Sequence, residues 1–333
     1  MSSPTPPQEL DAHSWSWFAK RAGIHGQEQL LLALSGGADS VYLLQLIALA
    51  EPRPALRVLH VQHGLRGADS EADEAFCATR CAQLGIPFHC ESVELDPAGP
   101  SLEERARKAR YAALRREAER SGHHTILTAH QSQDVLETFL WRWIRGSSAL
   151  GVRGPARRLV LKGSPGSPQL RVLRPLLDLP REEVLRQLRQ AGLRWREDLS
   201  NLDPRFTRNR LRHGFMPFLE RMAGPSLWKD WSSFAESMEG FEAQLEARSR
   251  TLQWTQAPGL PQRLERSQLT SLTPAVQRRA LWRLLSEVLG SGPRGALLQL
   301  ILEDLQAGAL SRHTLARGWQ LRLGSQFIEL EAT

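Results

Sequence analysis

A buried strand that turns into a helix at paired glycines leaves a chain few folds to choose from. Here the apolar run 30–34 leads into Ser35-Gly36-Gly37-Ala38-Asp39-Ser40, and an apolar stretch of helical character, 40–50, follows at once. In a parallel sheet such a turn sits at the carboxyl edge of the strands, where ligands bind. Gly36 and Gly37 let the backbone approach a ligand closely and aim successive N–H groups at it, and the positive end of the next helix adds attraction for phosphate oxygens. Ser35 and Ser40 add hydroxyl donors. Asp39 beside a phosphate cradle is repulsive unless it holds a cation such as Mg²⁺ that bridges to the nucleotide. Because no Gly-Lys-Ser or Gly-Lys-Thr follows the glycines, the loop is not of the kind that grips a γ-phosphate, and pyrophosphate is the better ligand.

The first half of the chain repeats this strand-helix alternation. Segments 30–34, 56–62, 86–94 and 124–130 read as strands; 40–50, 70–84, 101–120 and 131–145 read as helices. Ser101 and Glu104 have the spacing of a capping box. The expected fold class is therefore α/β, a Rossmann-like parallel sheet with helices on both faces. After Arg145 the pattern breaks into a Gly/Ser/Pro-rich loop, 146–168, then a short strand 170–173 and a helix 181–191. From Ser226 onward the chain reads as a smaller, mainly helical domain, with helices 274–289 and 295–306 and a terminal hairpin, 319–323 with 327–330. The expected organisation is an N-terminal extension 1–25, a catalytic domain 26–215 and a helical substrate domain 216–333.

Charge narrows the partner. With 43 Lys and Arg against 36 Asp and Glu the chain carries a formal +7. Residues 141–181 hold nine of the basic residues and one acid, Asp178. Residues 194–212 hold six arginines against three acids, with Trp195 and Phe206 interleaved. Such a mixture suits phosphates and unpaired bases, although a charged helical pair with core aromatics reads equally well. Three cysteines without a Cys-x-x-Cys pair argue against a disulfide framework or zinc ribbon, and no apolar run is long enough to span a bilayer. A cytoplasmic protein without a membrane partner is expected.

These segments together resemble a known family. The loop is similar to that of the N-type ATP pyrophosphatases, or PP-loop superfamily. The downstream blocks resemble the tRNA(Ile)-lysidine synthetase family within it: His60-Val61-Gln62-His63-Gly64-Leu65-Arg66, the helix carrying Glu104, Arg107, Arg110 and Tyr111, and Thr128-Ala129-His130 with Asp134, Glu137 and Thr138. Arg145-Gly146, Arg174-Pro175-Leu176-Leu177, Glu197-Asp198, Ser200-Asn201, and Arg208-Asn209 with Leu211-Arg212 match later blocks, so the resemblance runs from about 30 to 212.

The resemblance implies adenylation, at the expense of ATP, of the C2 oxygen of the wobble cytidine in tRNA(Ile) bearing a CAU anticodon, followed by attack of L-lysine. It implies ATP and Mg²⁺ as cofactors. Ser35, Gly36, Gly37, Ala38, Asp39, Ser40, His60 and Arg107 are expected on ATP, and Asp39 and Asp134 on the metal. Asp39, His130, Asp134 and Glu137 are expected in the reaction site, and Arg66, Arg145, Arg205, Arg208 and Arg212 on tRNA. The oligomeric state is not set by the sequence, and a homodimer stays open. The chain departs from the family pattern at Gln131, Gln133 and Val135, which removes one carboxylate. A homologue that binds tRNA without making lysidine is the alternative those positions raise.

Overall fold

The computed structural model describes residues 7, 9–26, 28–64, 67–96, 102–144, 155–161, 169–197, 207–224, 227–256, 261–290 and 292–332. These divide into two compact units, 1–141 with 153–235, and 142–152 with 236–333.

The first unit is built on a six-stranded sheet of β1 (Leu30–Ala33), β2 (Leu56–Gln62), β3 (Phe88–Ser92), β4 (Thr125–Leu127), β5 (Arg158–Leu161) and β6 (Leu170–Leu173), in the order β3-β2-β1-β4-β6-β5. All pairings are parallel except that of β5 with β6. Its helices are α1 (Ser14–Ala22), α2 (Ala38–Ala48), α3 (Ala68–Gln83), α4 (Leu102–Ser121), α5 (Ser132–Ile144), α6 (Arg181–Gln190), α7 (Thr207–Arg210) and α8 (Met216–Ala223). The last two are joined through a wider turn at Leu211–Phe215.

The core follows from strand alternation, which sends successive side chains to opposite faces. Leu30 and Leu32 point into one apolar layer with Val41, Leu44 and Ile47 of α2, Cys77 and Cys81 of α3, and Val184 and Leu188 of α6. Leu31 points the other way, onto Ala113, Leu114 and Ala118 of α4. Helices therefore cover both faces. The chain winds outward from β1 through β2 to β3, then crosses back to place β4 on β1's other side. That reversal makes the carboxyl ends of β1 and β4 the point where a crevice opens.

In this unit most expected elements lie within a few residues of their sequence positions; two features differ. Helix α1 occupies what read as an extension, because Trp15, Phe18, Ala19 and Ala22 form a buried stripe at helical spacing. Strand β5 falls inside the expected loop 146–168. It is an edge strand with three exposed residues, so burial gives it no sequence signal, and its order comes from antiparallel pairing to β6. Ser101 lies outside the described residues, and Glu104 is exposed and paired with Lys108 at 2.8 Å.

The second unit is not simply helical. Beside the later part of α9 (Leu227–Ser249), α10 (Arg266–Thr270), α11 (Pro274–Leu289) and α12 (Gly295–Gln306) it contains a four-stranded antiparallel sheet, β7-β10-β9-β8, of β7 (Gln262–Glu265), β8 (Ser311–Thr314), β9 (Trp319–Leu323) and β10 (Phe327–Ala332). Leu264, Leu321, Leu323, Ile328 and Leu330 meet Leu281, Leu284, Ile301 and Leu305 in one core. The short β7 and β8 carry arginine and histidine among few apolar residues, which is why only the terminal hairpin is legible.

A buried hydroxyl ties the sheet's neighbours together, since Tyr42 Oη on α2 donates to Gln187 Oε1 on α6 at 2.9 Å. Tyr42→Phe leaves that acceptor unmet in an apolar layer and is expected to cost about 1–2 kcal/mol, measured by urea denaturation.

Candidate functional site

The chain leaves β1 with Leu34 N–H still bonded to Leu59 O at 2.9 Å. Gly36 then takes φ +84°, the left-handed region that glycine enters without a Cβ penalty. A Cβ there would also stand 3.3 Å from Cys77 Sγ and 3.5 Å from Arg196 Cγ. Gly37 begins α2, and no side chain caps that helix end. Its first N–H groups face outward as donors, the arrangement that receives phosphate oxygens.

Two hydroxyls brace the turn from within. Ser40 Oγ donates to Gly37 O at 2.9 Å and accepts from Ser35 N at 3.2 Å. Ser35 Oγ lies 3.1 Å from Ser40 Oγ and accepts from Gly37 N at 3.4 Å. Buried Ala38 and Ser40 face the core, and half-buried Asp39 faces the crevice.

β4 lies beside β1 with Leu32 opposite Leu127, so the segment after β4 arrives next to this loop. There Gln131 donates its side-chain amide to Asp39 Oδ1. Arg181, the first residue of α6, donates to Asp39 Oδ2 at 3.2 Å. Asp134 Oδ2 accepts from Gln131 N at 2.9 Å, closing the first turn of α5. One turn on, fully buried Glu137 takes both Nε and Nη2 of Arg212, at 2.7 and 3.0 Å, and the same Nη2 reaches Asp134 Oδ1 at 3.4 Å. Asp39 thus meets Asp134 and Glu137 of α5, which lie about a hundred positions further along the chain, in one acidic cluster interleaved with Gln131, Arg181 and Arg212.

Burial pushes the Asp39 carboxyl up to about 7; Arg181 and Arg212 oppose the rise and Asp134 adds to it. Among the described residues no group of three His, Cys, Asp or Glu is arranged to hold a metal unaided. That donor set still fits Mg²⁺, which takes one or two carboxylates and draws its other oxygens from substrate phosphates and water.

The remaining expected residues are spread around this centre. His130 Nδ1 pairs with Thr128 Oγ1 at 2.9 Å at the end of β4. His60 is buried below the loop, its Nδ1 2.8 Å from Leu34 O, a contact that anchors the strand end. His63, at the carboxyl end of β2, has both ring nitrogens buried with no hydrogen-bond partner among the described residues. Burial, helped by Arg110 and His60, lowers it to about 4, so it is a neutral imidazole. Arg107 is exposed on α4, 4.9 Å above the Tyr111 ring, and donates to its hydroxyl at 3.4 Å. Arg212, expected on RNA, is half-buried and bonded to Glu137 and Asp134. Arg66, Arg145 and Arg205 lie outside the described residues, as does the Arg208 side chain.

Sequence reasoning did not find Arg181. It stands 142 positions from Asp39, and its only local signal is its place at a helix start after Pro180. The departures also find their setting. Val135 is buried against the core, and Gln133 donates to Glu220 Oε1 at 3.4 Å, where an aspartate would face a like charge. The cysteines offer no thiolate: burial raises Cys77, and pushes Cys81 and Cys90 up to about 12.

The sequence profile of the PP-loop domain family matches residues 10–219. A tRNA(Ile)-lysidine synthase of Pseudomonas fluorescens is 38% identical over 269 residues, 77% of this chain and 58% of that protein. One from Thermus thermophilus is 38% identical over 285 residues, 84% of this chain and 53% of that protein. The chain thus spans little more than half the length of these relatives. Among solved structures, a U34-tRNA thiolase of Methanococcus maripaludis superposes with a TM-score of 0.53 at 19% identity, covering 68% of this chain and 76% of that one, a likeness of fold.

Two outcomes are expected from the electrostatics. Between the unfolded carboxyl value, about 4, and about 7, the folded chain keeps a proton on Asp39 that the unfolded chain has released, so this group's stabilisation falls as pH rises through that window. Asp39→Asn is expected to remove that component from a melting-temperature profile against pH. Arg212→Ala strands the buried Glu137 carboxylate and is expected to cost about 3 kcal/mol in urea unfolding, with Arg212→Ala/Glu137→Gln recovering most of it.

Proposed function

Because this chain belongs to the PP-loop family, we propose that it is an ATP-dependent ligase that joins L-lysine to the wobble cytidine of tRNA(Ile) with a CAU anticodon. The cytidine O2 attacks the α-phosphorus of ATP and displaces pyrophosphate. The ε-amine of lysine then attacks C2, the C2–O bond breaks, AMP leaves with that oxygen, and the amine gives up its proton. The reading is supported by relatives named tRNA(Ile)-lysidine synthase. The observation that carries it is the convergence of Asp39 and Asp134 on Gln131 beside the phosphate loop.

Each part of the site has a share in that chemistry. The uncapped N–H groups of α2 and the backbone of Gly36 and Gly37 receive the departing pyrophosphate, whose charge they are already oriented to meet. Mg²⁺, when bound, would be held by Asp39 with Asp134 and would neutralise phosphate charge as the leaving group forms. Arg181 keeps the Asp39 carboxylate turned to the crevice, and Gln131 holds its other oxygen as a neutral donor at any pH. In this reading His130, at the end of β4, exchanges a proton with the reacting amine, and Asp134 at the start of α5 attracts the ammonium of lysine.

Gln133 and Val135 lie outside this cluster, so the departures leave three acids in it. Nothing favours the RNA-binding alternative.

Purified protein with ATP, Mg²⁺, labelled lysine and the CAU-anticodon tRNA is expected to yield lysine-modified cytidine and tRNA-dependent pyrophosphate. Incorporation of ammonia or sulfide in place of lysine, or no product, would sink the reading. Asp39→Ala is expected to lower pyrophosphate release by at least about 100-fold with RNA affinity unchanged.

A further inference from the structure

The turn at Gly36 is held from outside as well as by its own serines, and the holder belongs to neither the phosphate loop nor the acidic cluster. Arg196, just beyond α6, donates its main-chain N–H to Gly36 O at 2.9 Å. Its side chain runs on past Gly36, with Cγ 3.5 Å from where a Cβ would stand, and its Nε bonds Asp73 Oδ1 on α3 at 2.7 Å. Asp73 is buried, and the ion pair to Arg196 anchors a segment that is otherwise irregular.

The consequence is geometric. In a trans peptide the carbonyl and the following N–H point in opposite directions. Fixing Gly36 O toward Arg196 therefore turns Gly37 N–H the other way, toward Ser35 Oγ and the cradle. Glycine tolerates many peptide orientations, so a Gly-Gly turn without an external restraint would spend much of its time with that donor misaimed.

We propose that Asp73 and Arg196 are positioning residues for the nucleotide. The Asp73 carboxylate holds the Arg196 side chain, which presses its main-chain N–H onto Gly36 O and locks the Gly36–Gly37 peptide in the orientation that receives phosphate. This inference rests on the PP-loop reading of the site. It adds a dependence of ATP affinity on two side chains that do not touch the nucleotide. Arg196 itself belongs to the arginine-rich stretch 194–212, so the same contact ties the phosphate loop to the start of that stretch.

The test uses the full chain and measures equilibrium binding of Mg·ATP and, separately, of inorganic pyrophosphate, beside melting temperature and steady-state kinetics. Asp73→Asn and Arg196→Gln are each expected to weaken both ligands by about tenfold, the scale of one charge-assisted hydrogen bond. KM for ATP should rise by the same factor, with kcat at saturating ATP within about twofold of the parent. The double variant should lose no more than either single one, because both break the same link. Arg196→Lys keeps the charge and the main-chain N–H, and is expected to fall between parent and Arg196→Gln; it serves as the readout if the other variants fold poorly. Parent-like affinity for both ligands in well-folded variants, additive losses in the double, or a fall in kcat without a rise in KM would overturn the proposal. A parent that binds ATP but makes no modified cytidine would instead overturn the functional reading and leave this comparison intact.

Discussion

Parallel pairing of β1 with β4 is the constraint on which the site depends. With Leu30 beside Thr125 and Leu32 beside Leu127, the two strands end at one level, and the segments that leave them are forced into the same crevice. A shift of one residue would move Leu30, Leu32 and Leu127 out of the apolar layer they share with α2 and α6. Burial of ordinary leucines thus fixes the distance between a phosphate loop and an acidic helix.

Within that crevice the charges are balanced locally. Asp39 is met by Gln131 and Arg181, and Glu137 by Arg212, so each of these acids has a donor on it. The allocation matters for how the chain's basic character is read. Arg181, Arg196 and Arg212 are all engaged with carboxylates inside the fold, and the surplus available to a polyanion must come from other positions. Net charge suggests a partner but does not say which arginines face it.

The positions that break the family pattern are informative for the same reason. A missing carboxylate at 133 looks like lost function when the sequence is read alone. In the fold it places an amide against Glu220, which avoids a like-charge contact between α5 and α8, while Val135 fills a core position.

By itself the sequence determined the repeating strand-helix pattern, the loop and its ligand class, and the bounds of β2, β6, α11 and α12 almost to the residue, because hydrophobic periodicity and paired glycines are local properties. It also pointed to Asp39, Asp134 and Glu137. Only the tertiary structure decided that Asp39 meets the two acids of α5, that Arg181 and Arg196 join the site's surroundings, and that Arg212 turns inward to them. Those pairings cross from 75 to 142 positions of chain, and no local pattern encodes them. The same holds for β5, whose order comes from a neighbouring strand rather than from burial of its own residues. Local chemistry chose the elements, and sheet register chose which side chains would meet.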